Sequence, residues 1–139
     1  MDTKSTGAAG EETAVKYLEK RGYKILDRNF FVRGAGGPKI VEIDIIAKKK
    51  GTIIFAEVKT LKEASGQPFL AQDKVNGEKL RKIAMAAEIW LSKRKMPLNC
   101  KQQIDVIALE LLKDNRPNFI RALFGSKYRI AHIENVSAR

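Results

Sequence analysis

The chain has 139 residues, 44% hydrophobic and 31% charged, the size and make-up of one ordinary domain (1–139) able to fold without disulfides or a structural metal. Lysine and arginine number 27 against 16 aspartate and glutamate, so the net charge is +11 and the expected partner is a polyanion such as nucleic acid. A lone cysteine (Cys100), no Cys/His cluster and no run near the roughly 20 apolar residues of a membrane span predict a cytoplasmic protein with no membrane partner.

Residues 1–12 contain no apolar run and do not read as a signal peptide. Ala8, Ala14, Val15 and Leu18 recur at helical spacing and predict a first helix from about Gly7 to Arg21, stopped by Gly22. Tyr23 to Phe31 reads as a strand interrupted by Lys24, Asp27 and Arg28, and Gly34, Gly36, Gly37 and Pro38 mark a loop. Ile40–Ala47 and Thr52–Thr60 form two strands joined through a tight turn at Lys48–Gly51. After a long connection from Leu61 to Asp73, a helix begins at Lys74 or Val75 and runs to Lys93, with an apolar stripe of Leu80, Ile83, Ala84, Ala87 and Leu91. Ile104–Leu112 and Tyr128–Ile133 supply two more strands, and Lys113–Ser126 carries no assignable pattern. This order predicts an α/β fold of the mixed (α+β) kind, a central mixed β-sheet flanked by helices.

The chemistry concentrates on the second and third strands. Alternation places Ile53, Phe55, Glu57 and Lys59 on one face, so an apolar face turns into a carboxylate followed by an ammonium. A buried charge without a partner costs several kcal/mol, and such a switch needs a reason. On the second strand the same alternation groups Glu42, Asp44 and Ile46, with Val41, Ile43 and Ile45 opposite. A turn centred between Lys50 and Gly51 would set Asp44 across from Glu57. Two adjacent carboxylates repel unless a cation neutralises them, and oxygen ligands suit Mg²⁺ or Mn²⁺. Glu11 lies in the apolar stripe of the first helix and is a third candidate acid.

With those residues in place, the chain resembles the YraN family, small bacterial proteins with an endonuclease-like domain related to archaeal Holliday-junction resolvases. The resemblance runs nearly end to end. Gly10-Glu11-Glu12-Thr13-Ala14, then Leu18 and Gly22-Tyr23, looks like the family's opening helix. Glu42-Ile43-Asp44-Ile45-Ile46-Ala47 is similar to its GEIDLIA motif, and Phe55-Ala56-Glu57-Val58-Lys59-Thr60 to its FVEVKTR motif. Lys79 to Leu91 matches its next helix in spacing, Asp105-Val106 its DV strand, and Ile130 to Asn135 its closing IxHIxNA segment. Val41 stands where the family has glycine, and Leu61 and Gln103 where it has arginine.

The resemblance implies a restriction-endonuclease-like core and a PD-(D/E)xK nuclease site. In that reading Asp44, Glu57 and Glu11 are catalytic and hold the metal, the Val58 carbonyl is a further ligand, and Lys59 is the catalytic lysine. The implied activity is metal-dependent hydrolysis of DNA phosphodiesters at branched or structured sites, and a homodimer would suit a junction-cleaving enzyme. A non-catalytic nucleic-acid-binding module with the same fold is the alternative, and an interaction protein with a structural acidic cluster a third reading. Lys48, Lys49, Lys50, Lys79, Arg81 and Lys82 are the candidate contacts to the nucleic-acid backbone. His132 reads as structural and Trp90 as core.

Overall fold

The structure, a computed structural model, describes residues 3–61 and 76–136, with side chains from residue 8 onward. The sequence position expected to begin the second helix, Lys74 or Val75, and most of the preceding connection fall outside the described residues. Helix α1 (Thr3–Lys20) turns at Gly22 into β1 (Lys24–Arg33), followed by β2 (Lys39–Lys49) and β3 (Thr52–Leu61). Helix α2 (Gly77–Lys93), β4 (Gln102–Leu111), α3 (Asn118–Phe124) and β5 (Tyr128–Ile133) complete the order.

The strands form one five-stranded sheet in the order β1-β2-β3-β4-β5. Among the described residues only β3 and β4 pair in parallel. Their connection contains α2, as a parallel pair requires a long crossover. The fold is thus the expected mixed α/β sheet flanked by helices, consistent with a restriction-endonuclease-like core. Each face has its own core. Ile46, Ile53 and Phe55 meet Ile83, Trp90 and Leu91 of α2, while Ile45, Ile54 and Ile107 meet Ala14, Val15 and Leu18 of α1.

The β2–β3 hairpin closes on two residues. Lys50 (φ 49°) and Gly51 (φ 82°) both take left-handed backbone, as the tight turns favoured between twisted antiparallel strands require. That turn sets the expected register, from Lys49 opposite Thr52 to Ile45 opposite Ala56. The ladder then ends, one step short of Asp44 and Glu57. There the alternation along β2 also breaks. Val41 and Ile43 pack on the α2 face together with Ile46, whereas Ile45 and Ala47 pack on the α1 face. The expected grouping of Val41, Ile43 and Ile45 is therefore wrong. The facing changes around Asp44, beside Asn29 (φ 54°) of the neighbouring strand, and the β1–β2 register is also irregular between Ile25 and Asp27.

The helices also depart from expectation in detail. Ala8 is exposed, and the close approach of α1 to the sheet is made by Gly10 instead: a Cβ there would overlap Thr60 Oγ1. In α2 the buried residues are Ile83, Ala86, Ala87, Trp90 and Leu91, and Ala84 is exposed. Trp90 is core, 2% exposed and edge-on to Phe55, and its indole N–H donates to Asp27 Oδ2 at 3.0 Å. Asp27 and Arg28, which seemed to interrupt β1, are engaged with Trp90 and with Glu12 respectively. Helix α3 lies in the segment without a pattern and buries none of its residues. Among the described residues no helix is long and apolar enough to cross a membrane.

Candidate functional site

Asp44 sits where β2 and β3 part. Its Oδ2 accepts the Val58 amide at 2.8 Å, so the side chain takes a backbone donor just beyond the last paired residues. Glu57, only 8% exposed, follows the Phe55 position on the α2 face and accepts Lys79 Nζ at 2.5 Å. Lys79 is held in place by the start of α2, where the Asn76 side chain caps the helix by accepting the Lys79 amide at 2.9 Å. The two acids line a cleft of about 500 Å³ whose walls include Glu42, Lys39, Lys79 and Lys82.

The electrostatics follow from that crowding. Burial, reinforced by the negative charge of Glu57, raises the Asp44 carboxyl from its ordinary 3.8 to about 7; the Val58 hydrogen bond opposes this, and Glu11 and Glu42 add to it. Glu11 is raised as well, first by burial and then by Glu42, with Arg28 acting the other way. The Asn29 amide lies between these last two acids and, turned so that its nitrogen faces them, donates to Glu11 Oε2 at 3.1 Å and Glu42 Oε1 at 3.2 Å. Four carboxylates thus lean on one another, relieved in part by Lys79 at Glu57, Lys39 at Glu42 (3.6 Å) and Arg28 near Glu11, while Asp44 accepts the Val58 amide.

The predicted residues are partly brought together. Asp44 and Glu57 share the cleft, and Glu11 lies near enough to be felt by both, though linked through Asn29 to Glu42. Lys59 follows Glu57 on β3 beside Ala108 of β4. Lys79 and Lys82 reach the cleft, but Lys79 serves as the ion-pair partner of Glu57. Arg81 is exposed and does not line the cleft. Lys48, Lys49 and Lys50 stand at the hairpin end, where Lys49 lies over the Tyr23 ring at 5.3 Å, away from the acids. Glu42, Lys39 and Asn29 were missed. Glu42 lay in plain view beside Asp44, and an Asn inside a strand is itself a signal, since Asn tolerates left-handed backbone better than most residues.

On the opposite face stands a second polar group. Asp105 is fully buried (0% exposed) and accepts His132 Nε2 at 2.7 Å, Gln103 Nε2 at 2.9 Å and the Asn135 amide at 3.0 Å. His132 Nδ1 meets the Tyr17 hydroxyl at 3.0 Å. Among the described residues, Asp105, His132 and Glu134 are the one group of three whose ligand atoms all lie within 4.8 Å of one another, close enough to hold a metal ion. Glu11, Asp44 and Glu57 are not gathered that closely.

Residues 10–109 match the model of a family described as Uncharacterised protein family UPF0102. The chain is 39% identical to a UPF0102 protein of Geobacter sulfurreducens over 133 residues, covering 95% of this chain and 88% of that protein. It is 41% identical to one from Trichlorobacter lovleyi, over 94% and 88% of the two chains. A third, from Geotalea uraniireducens, is 45% identical over 109 residues, 78% of each. A family match over most of the chain, with relatives of this similarity along most of their own length, leads to one conclusion: the chain belongs to the UPF0102 family, the YraN family that its motifs resemble.

Proposed function

We propose that this chain is a divalent-metal-dependent nuclease that hydrolyses phosphodiester bonds of DNA, at branched or otherwise structured sites. The observation that carries the reading is the juxtaposition of Asp44 and Glu57 in a lysine-rimmed cleft, with the Asp44 carboxyl held up to about 7 by burial and its acidic neighbours. An all-oxygen donor set of this kind fits a hard cation, Mg²⁺ or Mn²⁺.

Asp44 and Glu57 would hold the ion, with the Val58 carbonyl as a further oxygen donor and Glu11 acting at longer range. The bound ion supplies charge neutralisation at the scissile phosphate and a more acidic water. Asp44 is oriented by the Val58 amide, which leaves its carboxylate fixed before substrate arrives. Strand alternation puts Lys59 on the Glu57 side, where its ammonium would stabilise charge developing on the phosphorus oxygens. Lys39, Lys79 and Lys82 on the rim would meet the sugar–phosphate backbone, which carries no sequence information and suits recognition by shape.

One observation favours a second reading. Lys79 already neutralises Glu57, so a non-catalytic nucleic-acid-binding module that keeps the fold would also be electrostatically consistent. Incubation of the purified chain with linear, flapped and four-way DNA in Mg²⁺ and in Mn²⁺ separates the two. Nuclease action predicts cleavage that Glu57→Gln and Lys59→Ala each reduce by at least about 100-fold while binding persists. Salt-sensitive binding without cleavage in either metal would establish the module instead.

A further inference from the structure

The face of the sheet opposite the acidic cleft carries a donor set of different chemistry. His132 is the single histidine of the sequence, and both of its ring nitrogens are committed. Asp105 beside it takes its other two hydrogen bonds through Oδ1, from Gln103 and from the Asn135 amide, leaving Oδ2 to His132. A structural His–Asp pair would be complete at that point. Yet the chain adds Glu134, whose carboxylate comes within 4.8 Å of both partners and sets a second negative charge beside the first. Two carboxylates and an imidazole nitrogen held this close form a donor set that one cation can share.

We propose that Asp105, His132 and Glu134 bind a divalent ion of the zinc class, at a site separate from Asp44 and Glu57 and independent of any nuclease action there. Nitrogen and carboxylate donors together suit Zn²⁺ and its neighbours Co²⁺ and Ni²⁺, whereas an all-oxygen set suits Mg²⁺. The surrounding hydrogen bonds are those a metal ligand needs. Tyr17 holds the far nitrogen of the imidazole, and two donors fix the non-ligating oxygen of Asp105, so ring and carboxylate are oriented in advance. A recess of about 390 Å³ reaches the group from solvent, lined by His132 and Glu134 together with Tyr17, Tyr23, Arg21 and Lys49. It provides the entry path, and its two cations favour an anion or hydroxide as the remaining ligand.

Binding has a defined hydrogen-bond consequence. Nε2 ligates an ion only through its lone pair, so Nδ1 is then the N–H that donates to the Tyr17 hydroxyl.

The lone imidazole makes the test direct. The tag-free full chain is labelled with ¹⁵N and titrated with Zn²⁺ alone, and the two ring nitrogens are followed by NMR. The expected result is saturation near one equivalent, with Nε2 moving to a metal-bound position and Nδ1 becoming the protonated nitrogen. Mg²⁺ in excess leaves both unchanged. Glu134 is exposed, so Glu134→Gln is expected to fold and to weaken Zn²⁺ by at least about 10-fold. Tyr17→Phe, which keeps the ring, weakens it by about 10-fold through the lost outer hydrogen bond. Glu57→Gln leaves the titration as it was. Ring nitrogens that stay put at millimolar Zn²⁺, a Glu134→Gln titration identical to wild type, or a response abolished by Glu57→Gln would each overturn the proposal.

Discussion

Asp44 and Asp105 occupy nearly the same row of the sheet and meet opposite treatment. Ile45 and Asp105 both pair with Ala56, so the two acids are neighbours across β3, one turned toward α2 and the other toward α1. Asp105 is surrounded by donors: an imidazole, a side-chain amide and a backbone amide. Asp44 receives the Val58 amide but faces Glu57, Glu11 and Glu42. The comparison shows how differently a sheet can use an inward carboxylate. Where donors converge, it ties strands together and adds to stability. Where carboxylates converge, it stores a repulsion that raises the Asp44 carboxyl and that a bound cation would relieve.

Substitution should break that symmetry most plainly at Asp105. Asp105→Ala removes from a fully buried position the acceptor shared by His132, Gln103 and the Asn135 amide, and is expected to cost about 3 kcal/mol in urea unfolding at pH 7. Glu57→Gln in the cleft should change stability by less than about 1 kcal/mol, because it removes repulsion from Asp44 along with an ion pair. Equal losses from the two substitutions would mean that both carboxylates are structural. A smaller effect is expected at Gly10, whose lack of a side chain lets α1 lie against Thr60. Gly10→Ala should cost about 2 kcal/mol by overpacking, and Gly10→Ala with Thr60→Ala should recover part of it.

How far each face was legible follows from the same contrast. The hairpin could be read because two residues with left-handed backbone admit one register, and the sequence places Gly51 at the position that most needs it. Alternation along β3 was equally readable, since both faces begin apolar and only one becomes charged. The change of facing near Asp44 was not, because a rule of two along one strand assumes regular backbone throughout, and Asn29 on the neighbouring strand departs from it. Trp90 was readable as core, seven residues after Ile83 and three after Ala87, whereas the exposure of Ala84 and the indole's hydrogen bond to Asp27 across the sheet were not. Helix α3 escaped notice because Phe119, Leu123 and Phe124 are exposed and leave no buried stripe. His132 makes hydrogen bonds at both ring nitrogens, and its convergence with Asp105 and Glu134 depends on pairing between β4 and β5 that only the fold supplies.

The repulsion in the cleft also predicts a pH dependence of defined sign. The folded-state Asp44 value of about 7 lies above the ordinary 3.8, so the native state holds the proton more tightly than the unfolded chain. Its contribution to stability is fully present below about 4 and is lost as pH rises through 7. Asp44→Asn cannot ionise and keeps an oxygen for the Val58 amide. In metal-free buffer it should match wild type at pH 4 and exceed it by about 1–2 kcal/mol at pH 8. Urea unfolding in chelator at both values measures this. Saturating Mg²⁺ should close the gap by stabilising wild type alone. A variant less stable than wild type at pH 8 would place Asp44 with Asp105, as a structural carboxylate.

The smallest effect is expected at Lys79, and it tests what the ion pair with Glu57 is for. The Lys79 side chain is 43% exposed against 10% for Glu57, so solvent screens the pair and its loss should lower stability by less than about 1 kcal/mol. Its effect on metal should be larger than its effect on folding. A divalent ion at Asp44 and Glu57 must share the site with the Lys79 ammonium or displace it, and like charges within a few ångströms oppose one another. Lys79→Met keeps the apolar stem and removes the charge, so Mg²⁺ should bind several-fold more tightly by calorimetry. DNA binding should weaken at the same time, with a salt dependence reduced by roughly one counterion, because a rim lysine is lost. Weaker Mg²⁺ binding in Lys79→Met would reverse the assignment: the lysine would then be holding Glu57 in position for the ion, and the pair would belong to the binding site rather than compete with it.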